Sequence, residues 1–244
     1  MKDNFSSHSS SYAKYRPTYP QALYHFLKEK LDKTEMAWDC GTGNGQVAGE
    51  LAEFFKEVQA TDISRQQLDN AIKKPNIHYS FQAAEKTTFT DNSFDLITVA
   101  QAIHWFDFKS FYKEVNRVLK PNGIISVLGY SLFKSNFETN KVIYKLYHDI
   151  IGTFWDEERR YLEEHYQTIP FPFQEINSAV FEQEYTWSFE HLMGYLNTWS
   201  GVKHYEKENG KNPLDLIRNE LKAAFGAKNK VIFPVLLRLG KTVN

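Results

Sequence analysis

Trp38-Asp39-Cys40-Gly41-Thr42-Gly43-Asn44-Gly45 is the stretch on which the reading of this chain turns. The run leading into it, Met36 to Cys40, is apolar and of strand length. Glycines on alternate positions then let the backbone bend sharply and come close to a ligand before a helix begins near Gln46. The next apolar run, Val58 to Ile63, carries Asp62 near its end. A carboxylate there suits a ribose, whose two vicinal hydroxyls can both donate to one ionised acceptor. Strand, glycine turn, helix, strand and acid together predict a nucleoside-cofactor site at the end of a sheet.

The pattern extends in both directions. Tyr19 to Lys30 reads as a helix with Leu23, Phe26 and Leu27 on one face. After Gln46, residues Val47, Leu51, Phe54 and Phe55 form a helical stripe. Ser64 followed by Gln67 is a capping box, with Leu68, Ala71 and Ile72 expected to be buried before Pro75 stops that helix. Ile77 to Gln82 is a third strand, and Phe94 to Ala100, almost continuously apolar or β-branched, is a strand covered on both faces. Asp107 caps a helix lined by Phe108, Phe111, Tyr112, Val115, Val118 and Leu119. Pro121-Asn122-Gly123 turns into a fifth strand, Ile124 to Gly129. Five strand and helix alternations imply an α/β, doubly wound parallel sheet. Beyond Tyr130, Asn136 to His165 reads helical and aromatic, and Ala179 to Trp187 reads as a strand. Asn212-Pro213 opens a helix ended by Gly226, and Val231 to Leu239 closes the chain as a strand.

Gly43-x-Gly45-x-x-Ala48 also satisfies the dinucleotide fingerprint. Asp39, inside the motif, separates the two readings. A pyrophosphate is repelled by a carboxylate at that place, whereas S-adenosylmethionine carries no phosphate and offers an ammonium and a sulfonium. The sulfur nucleoside is favoured, and a nicotinamide dehydrogenase is a distant alternative.

Several segments together resemble the class I methyltransferases, and more narrowly the small-molecule branch around trans-aconitate methyltransferase. They are Tyr12-Ala13-Lys14-Tyr15-Arg16-Pro17-Thr18-Tyr19-Pro20, Asp39 to Gly45, Thr61-Asp62-Ile63-Ser64, Ala83-Ala84-Glu85, Phe94 to Thr98, Gln101-Ala102-Ile103-His104-Trp105-Phe106 and Thr198-Trp199-Ser200-Gly201. The resemblance implies a mostly parallel seven-stranded sheet with an antiparallel last strand and helical cap insertions. It divides one domain into a lid and helix (1–33), a cofactor-binding core (34–130), a cap with substrate-side elements (131–212) and a closing helix and strand (213–244). It further implies that S-adenosylmethionine is held by Tyr12, Tyr15, Arg16, Asp39, Gly41, Thr42, Gly43, Asp62, Ile63, Ala84, Glu85 and Gln101. Trp105, Tyr130 and Trp199 then face the acceptor, and His104 either orients or deprotonates it or is a satisfied structural histidine.

Lysine and arginine total 29 against 30 acidic residues, without a long basic run, so a nucleic-acid partner is not expected. The N-terminal stretch is polar and serine-rich, and no apolar run is long enough to span a bilayer, so a cytoplasmic location without membrane association is expected. A single cysteine excludes an intrachain disulfide and a cysteine-rich zinc cluster, and no metal site is expected. The expected function is methyl transfer to a small organic acceptor, at a carboxylate or hydroxyl oxygen, by a monomer or homodimer. The alternatives are C-methylation of a quinone-like or lipid precursor and a non-catalytic protein that binds the cofactor.

Overall fold

The computed structural model describes residues 15–176 and 179–242, so Tyr12 lies outside the described residues. Helix α1 (Gln21–Glu29) buries Leu23, Tyr24 and Leu27 and leads to β1 (Met36–Cys40). The glycine loop follows and passes into α2 (Gln46–Leu51). Next come β2 (Glu57–Asp62), α3 (Arg65–Asp69), β3 (Ile77–Phe81), β4 (Phe94–Ala100), α4 (Phe108–Val118) and β5 (Leu119–Tyr130). These five strands are parallel and lie in the order β3-β2-β1-β4-β5. Between β1 and β4 the chain order reverses, and open α/β sheets bind ligands outside the carboxyl ends of the strands at such a point.

The far side of the sheet is antiparallel. Strand β8 (Lys228–Lys241) runs against β5, and its outer edge is shared by two strands. Strand β7 (Phe181–Ser188) covers Lys228 to Val235, while β6 (Gln174–Glu175) covers Gly240 and Lys241. The expected seven strand positions are therefore filled by eight strands.

Burial follows the side-chain alternation of the central strands. Ala37 and Leu96 join the core on one face, with α1, α2 and the C-terminal helix α9 (Arg218–Phe225). Trp38, Cys40, Ile97 and Val99 join the core on the other, with α4. Strand β4 is buried from Phe94 to Val99, as its sequence requires. The one acid within it, Asp95, accepts from the Glu35 and Met36 amides and pairs with Lys120 at 2.8 Å. Asp107 caps α4 by accepting from the Ser110 amide. Much of the aromatic content is core. Trp187 and Tyr195, for example, pack on each other and on Phe233.

The structure departs from the sequence reading in three places. Ile72 is 41% exposed, because α3 ends at Asp69 and the helical phase lapses before reaching it. The Pro121-Asn122-Gly123 turn is absorbed as an irregularity within β5: Phe94 pairs with Leu119, and the next pair is Leu96 with Ile124. The helix expected over Asn136 to His165 is broken into α5 (Phe137–Tyr144), a π-helical turn (Lys145–Ile150), short 3-10 turns and α6 (Arg160–Glu163). Helices α7 (Phe189–Leu196) and α8 (Ser200–Asn209) complete the order.

The broken segment is fastened to the sheet. Tyr166, fully buried and in the left-handed region at φ 61°, packs against Gly129, where a Cβ would sit 2.6 Å from its ring. Arg238 of β8 donates to the Tyr166 and Ile169 carbonyls at 2.8 and 2.9 Å and pairs with Glu175.

Candidate active site

The loop after β1 is held from below by Asp39. Its side chain, 1% exposed, accepts from the Thr42 hydroxyl at 2.6 Å, the Ala48 amide at 3.1 Å and the Thr98 hydroxyl at 2.7 Å. One carboxylate thereby ties the glycine loop, the first turn of α2 and strand β4 together. Burial pushes its pKa from an ordinary 3.8 up to about 6, against the hydrogen bonds from Thr42, Thr98 and Ala48, which lower it. Gly41, Gly43 and Gly45 all take left-handed φ values, of 68°, 55° and 78°. A Cβ on Gly41 would meet Ala102 at 2.7 Å, whereas one on Gly43 would meet nothing within 4 Å.

Asp62, at the end of β2, accepts from the Gly43 amide at 2.8 Å and the Ser64 amide at 2.9 Å. The Ser64 hydroxyl caps α3 by accepting from the Gln67 amide, as expected. The reciprocal half of the capping box is absent, because Asp62 already takes the Ser64 N–H. The Gln67 side chain is released, and its buried Oε1 has no hydrogen-bond partner among the described residues. The capping-box pattern signalled Gln67 but assigned it to the helix end. Where strand β4 ends, Gln101 is held at φ 54°, a conformation that costs a non-glycine residue about 1–2 kcal/mol and is frequent at functional sites. Its amide donates to the Leu128 carbonyl, and its Nε2 donates to the Tyr130 carbonyl at 3.2 Å.

These groups converge on one cleft of about 940 Å³, its solvent-open mouth included. Arg16, Asp39, Gly41, Thr42, Gly43, Asp62, Ile63, Gln101, Trp105 and Tyr130 line it, as does Gln67. A second cleft of about 480 Å³ adjoins it, lined by His104, Trp155, Asp156, Arg159 and Trp199. Arg16, Gln101 and Trp105 line both clefts and form the wall between them. Arg16 is held there by bonds to the Tyr130 hydroxyl at 3.3 Å and the Thr198 carbonyl at 3.1 Å.

Three expected residues lie outside both linings. Tyr15 packs edge-on against His191 and over Gly194 of α7, where it anchors the N-terminal segment. Ala84 is 3% exposed in the core around Trp38. Glu85 is drawn toward α4, where its Oε1 accepts from the Asp107 amide at 3.2 Å. His104 is 7% exposed beside Tyr166, with Nδ1 3.4 Å from the tyrosine hydroxyl. Burial and the Arg159 guanidinium lower its pKa from 6.5 to about 3, so at neutral pH it is an uncharged hydrogen-bonding group and a weak base.

Among the described residues, no helix is long and apolar enough to cross a membrane. The family described as methyltransferase domain matches residues 38–127. A protein of Dictyostelium discoideum named as a methyltransferase is 36% identical over 98% of this chain and 95% of its own length. An uncharacterised methyltransferase of Schizosaccharomyces pombe is 27% identical over 87% of this chain and 86% of its own length. A solved structure from Anaeromyxobacter dehalogenans, described as a type II methyltransferase, is 36% identical, with a TM-score of 0.87. It covers 93% of this chain and 98% of that one.

Proposed function

Because this chain belongs to the class I S-adenosylmethionine-dependent methyltransferases, we propose that its larger cleft holds the methyl donor and the adjoining one a small organic acceptor methylated at oxygen. The bound donor supplies a methyl group on an already activated sulfonium. The single observation that carries the division of labour is the wall that Arg16, Gln101 and Trp105 give to both clefts. Methyl transfer is an in-line displacement, and holding two reacting atoms at near-attack distance supplies roughly 7–11 kcal/mol. The protein's work is therefore positioning.

In this reading Asp62 takes the ribose hydroxyls, and Ile63 lies beside the base. Gly41 and Gly43 admit the methionine part, above the negative charge of Asp39. The fit rests on an open space over Gly43 and on the Gln67 Oε1, which awaits a donor. A hydroxyl or amino group of the nucleoside satisfies it. Gln67→Met, close in volume and free of the orphaned acceptor, is expected to weaken cofactor binding about 5- to 10-fold, as loss of one hydrogen bond of about 1 kcal/mol or slightly more implies. Its melting temperature should be unchanged or raised. Isothermal titration beside thermal unfolding checks this, and an unchanged affinity removes Gln67 from the site.

The acceptor oxygen is best read as one that arrives ionised. His104 is too weak a base at neutral pH to take a proton from an alcohol or phenol. A carboxylate needs no such help. The likeness of the sequence from Tyr12 to Pro20 and from Gln101 to Phe106 to the trans-aconitate methyltransferase branch supports the same choice. S-adenosylhomocysteine release should be measured over a panel of carboxylic acids, phenols and alcohols. Turnover is expected with acids, yielding methyl esters. No titration near pH 6.5 should trace to the imidazole, and His104→Gln should keep at least a tenth of the activity. Phenol methylation that fails in His104→Gln overturns the carboxylate reading.

A further inference from the structure

The second cleft is lined by one acid, Asp156, and by two arginines, Arg16 on the wall it shares with the first cleft and Arg159 at its other side. Asp156 and Arg159 sit three residues apart, on the 3-10 turn that precedes α6. Asp156 caps that turn through its backbone without using its side chain, and its Oδ2 is buried with no hydrogen-bond partner among the described residues. The Arg159 guanidinium lies over the Trp155 ring at 4.7 Å and the Tyr147 ring at 5.4 Å. Its Nε donates to the Tyr147 hydroxyl at 2.9 Å, and that hydroxyl donates to Glu163 at 2.6 Å. This anchoring uses Nε and leaves the two terminal nitrogens without a hydrogen bond among the described residues. Among the described residues, neither Asp156 nor Arg159 takes part in an ion pair.

A carboxylate oxygen shielded from water without a partner is costly, and an anchored guanidinium that offers its terminal donors to a cleft is poised for an acceptor. One ligand answers both when it carries both charges. A second carboxylate of a dianion can be met by Arg16, but it leaves Asp156 unanswered, and a cation alone leaves Arg159 unanswered. Resting on the reading that this cleft receives the acceptor, we propose that the acceptor is a zwitterion of amino-acid type, with its carboxylate on Arg159 and its ammonium on Asp156. The planar guanidinium fork suits a carboxylate in two bonds, and the Trp155 and Trp199 indoles enclose the carbon skeleton. Arg159 is absent from the wall between the clefts, so the oxygen it holds is not the one methylated. The reacting oxygen belongs to the other end of the molecule, against Arg16, Gln101 and Trp105.

The test is calorimetric, on full-length protein saturated with S-adenosylhomocysteine. The probes are glutamate and phenylalanine, each beside its deamino acid (glutarate, 3-phenylpropionate) and its α-amide (isoglutamine, phenylalaninamide). For at least one skeleton the amino acid should bind tenfold or more tightly than both counterparts. Asp156→Asn should erase its advantage over the deamino acid, and Arg159→Gln its advantage over the amide. Asp156→Asn removes a group without a partner, so its melting temperature should not fall, and this variant reads the site even if Arg159→Gln is unstable. Equal or tighter binding of the deamino acids overturns the proposal, as does an advantage that survives both substitutions or the failure of every probe to bind. Failure of S-adenosylhomocysteine itself to bind marks instead the collapse of the reading on which the proposal rests.

Discussion

Asp39→Asn is expected to raise the stability of the protein at pH 7.5 while weakening S-adenosylmethionine binding about tenfold. Two features of the site produce this opposition. The folded-state pKa of Asp39, about 6, lies above its ordinary 3.8, so the folded protein holds this proton more tightly than the unfolded chain does. A raised folded pKa gives stability that is fully present below pH 3.8 and lost as pH rises through about 6. The full difference corresponds to about 3 kcal/mol, an upper bound for one wholly buried group. Asparagine has no charge to bury, so unfolding in urea should show a steeper loss between pH 4 and 7 in the native protein than in the variant. The fold should tolerate the change. The asparagine carbonyl takes the place of Oδ2 toward Thr42 and Ala48, and its amide faces Thr98, whose hydroxyl can turn to the Trp38 carbonyl 3.5 Å away. Binding moves the other way, because the ammonium and sulfonium of the cofactor favour the ionised carboxylate. Native affinity should therefore rise between pH 5 and 7, and the variant should lose this dependence. Equal affinity of the two proteins at pH 7.5 would show that Asp39 only holds the loop in place. Asp39→Ala is harsher. It leaves the Ala48 amide and two hydroxyls without their acceptor, at a cost of about 2–4 kcal/mol, and should abolish measurable binding.

Substitution of the first two loop glycines by alanine should separate a structural glycine from a ligand-facing one. Gly41→Ala meets two penalties. Its left-handed φ of 68° costs an alanine about 1 kcal/mol, and the new Cβ would lie 2.7 Å from Ala102 and 3.3 Å from Phe106, an overpacking worth about 1–3 kcal/mol. A stability loss of about 2–4 kcal/mol is expected. Because Ala102 follows the strained Gln101, cofactor affinity should fall with it. Gly43→Ala meets only the first penalty, since nothing lies within 4 Å of its Cβ. It should lose about 1 kcal/mol of stability and yet tenfold or more in cofactor affinity, the methyl group projecting where the ligand has to lie. Thermal unfolding and titration calorimetry on the pair decide the matter. Native-like binding by Gly43→Ala would move the cofactor away from this loop.

The sequence disclosed what short-range chemistry determines. Asp39, the glycines and Asp62 could be read because each belongs to a local pattern, an apolar run followed by a turn that only glycine makes easily or by an acid at a strand end. The continuously apolar Phe94 to Ala100 identified a central strand for the same reason. Other features depend on which neighbour arrives first. The capping-box pattern placed Gln67 at the helix end, but Asp62 takes the Ser64 amide and turns Gln67 toward the cleft. Ala84 and Glu85 were named by resemblance, yet Glu85 is drawn to the amide at the start of α4, 22 residues on. Asp156 and Arg159 gave no periodic signal. They lie in a helical tract broken by the π-helical turn at Lys145–Ile150, which carries the Tyr147 that orients Arg159. The second cleft is thus a product of tertiary packing.

The fastening of residues 157–173 by Tyr166 and Arg238 has a practical consequence. Both clasps act on carbonyl groups or on a glycine, Arg238 through the Tyr166 and Ile169 oxygens and Tyr166 through the bare backbone at Gly129, so they are nearly blind to the side chains carried ahead of them. With Trp155 kept, since its indole donates to the Tyr147 carbonyl and packs on Gly201, Asp156 and Arg159 form an exchangeable pair. Rewriting them should change the molecule accepted while the sheet, the nucleoside loop and the docking of the tract stay as they are.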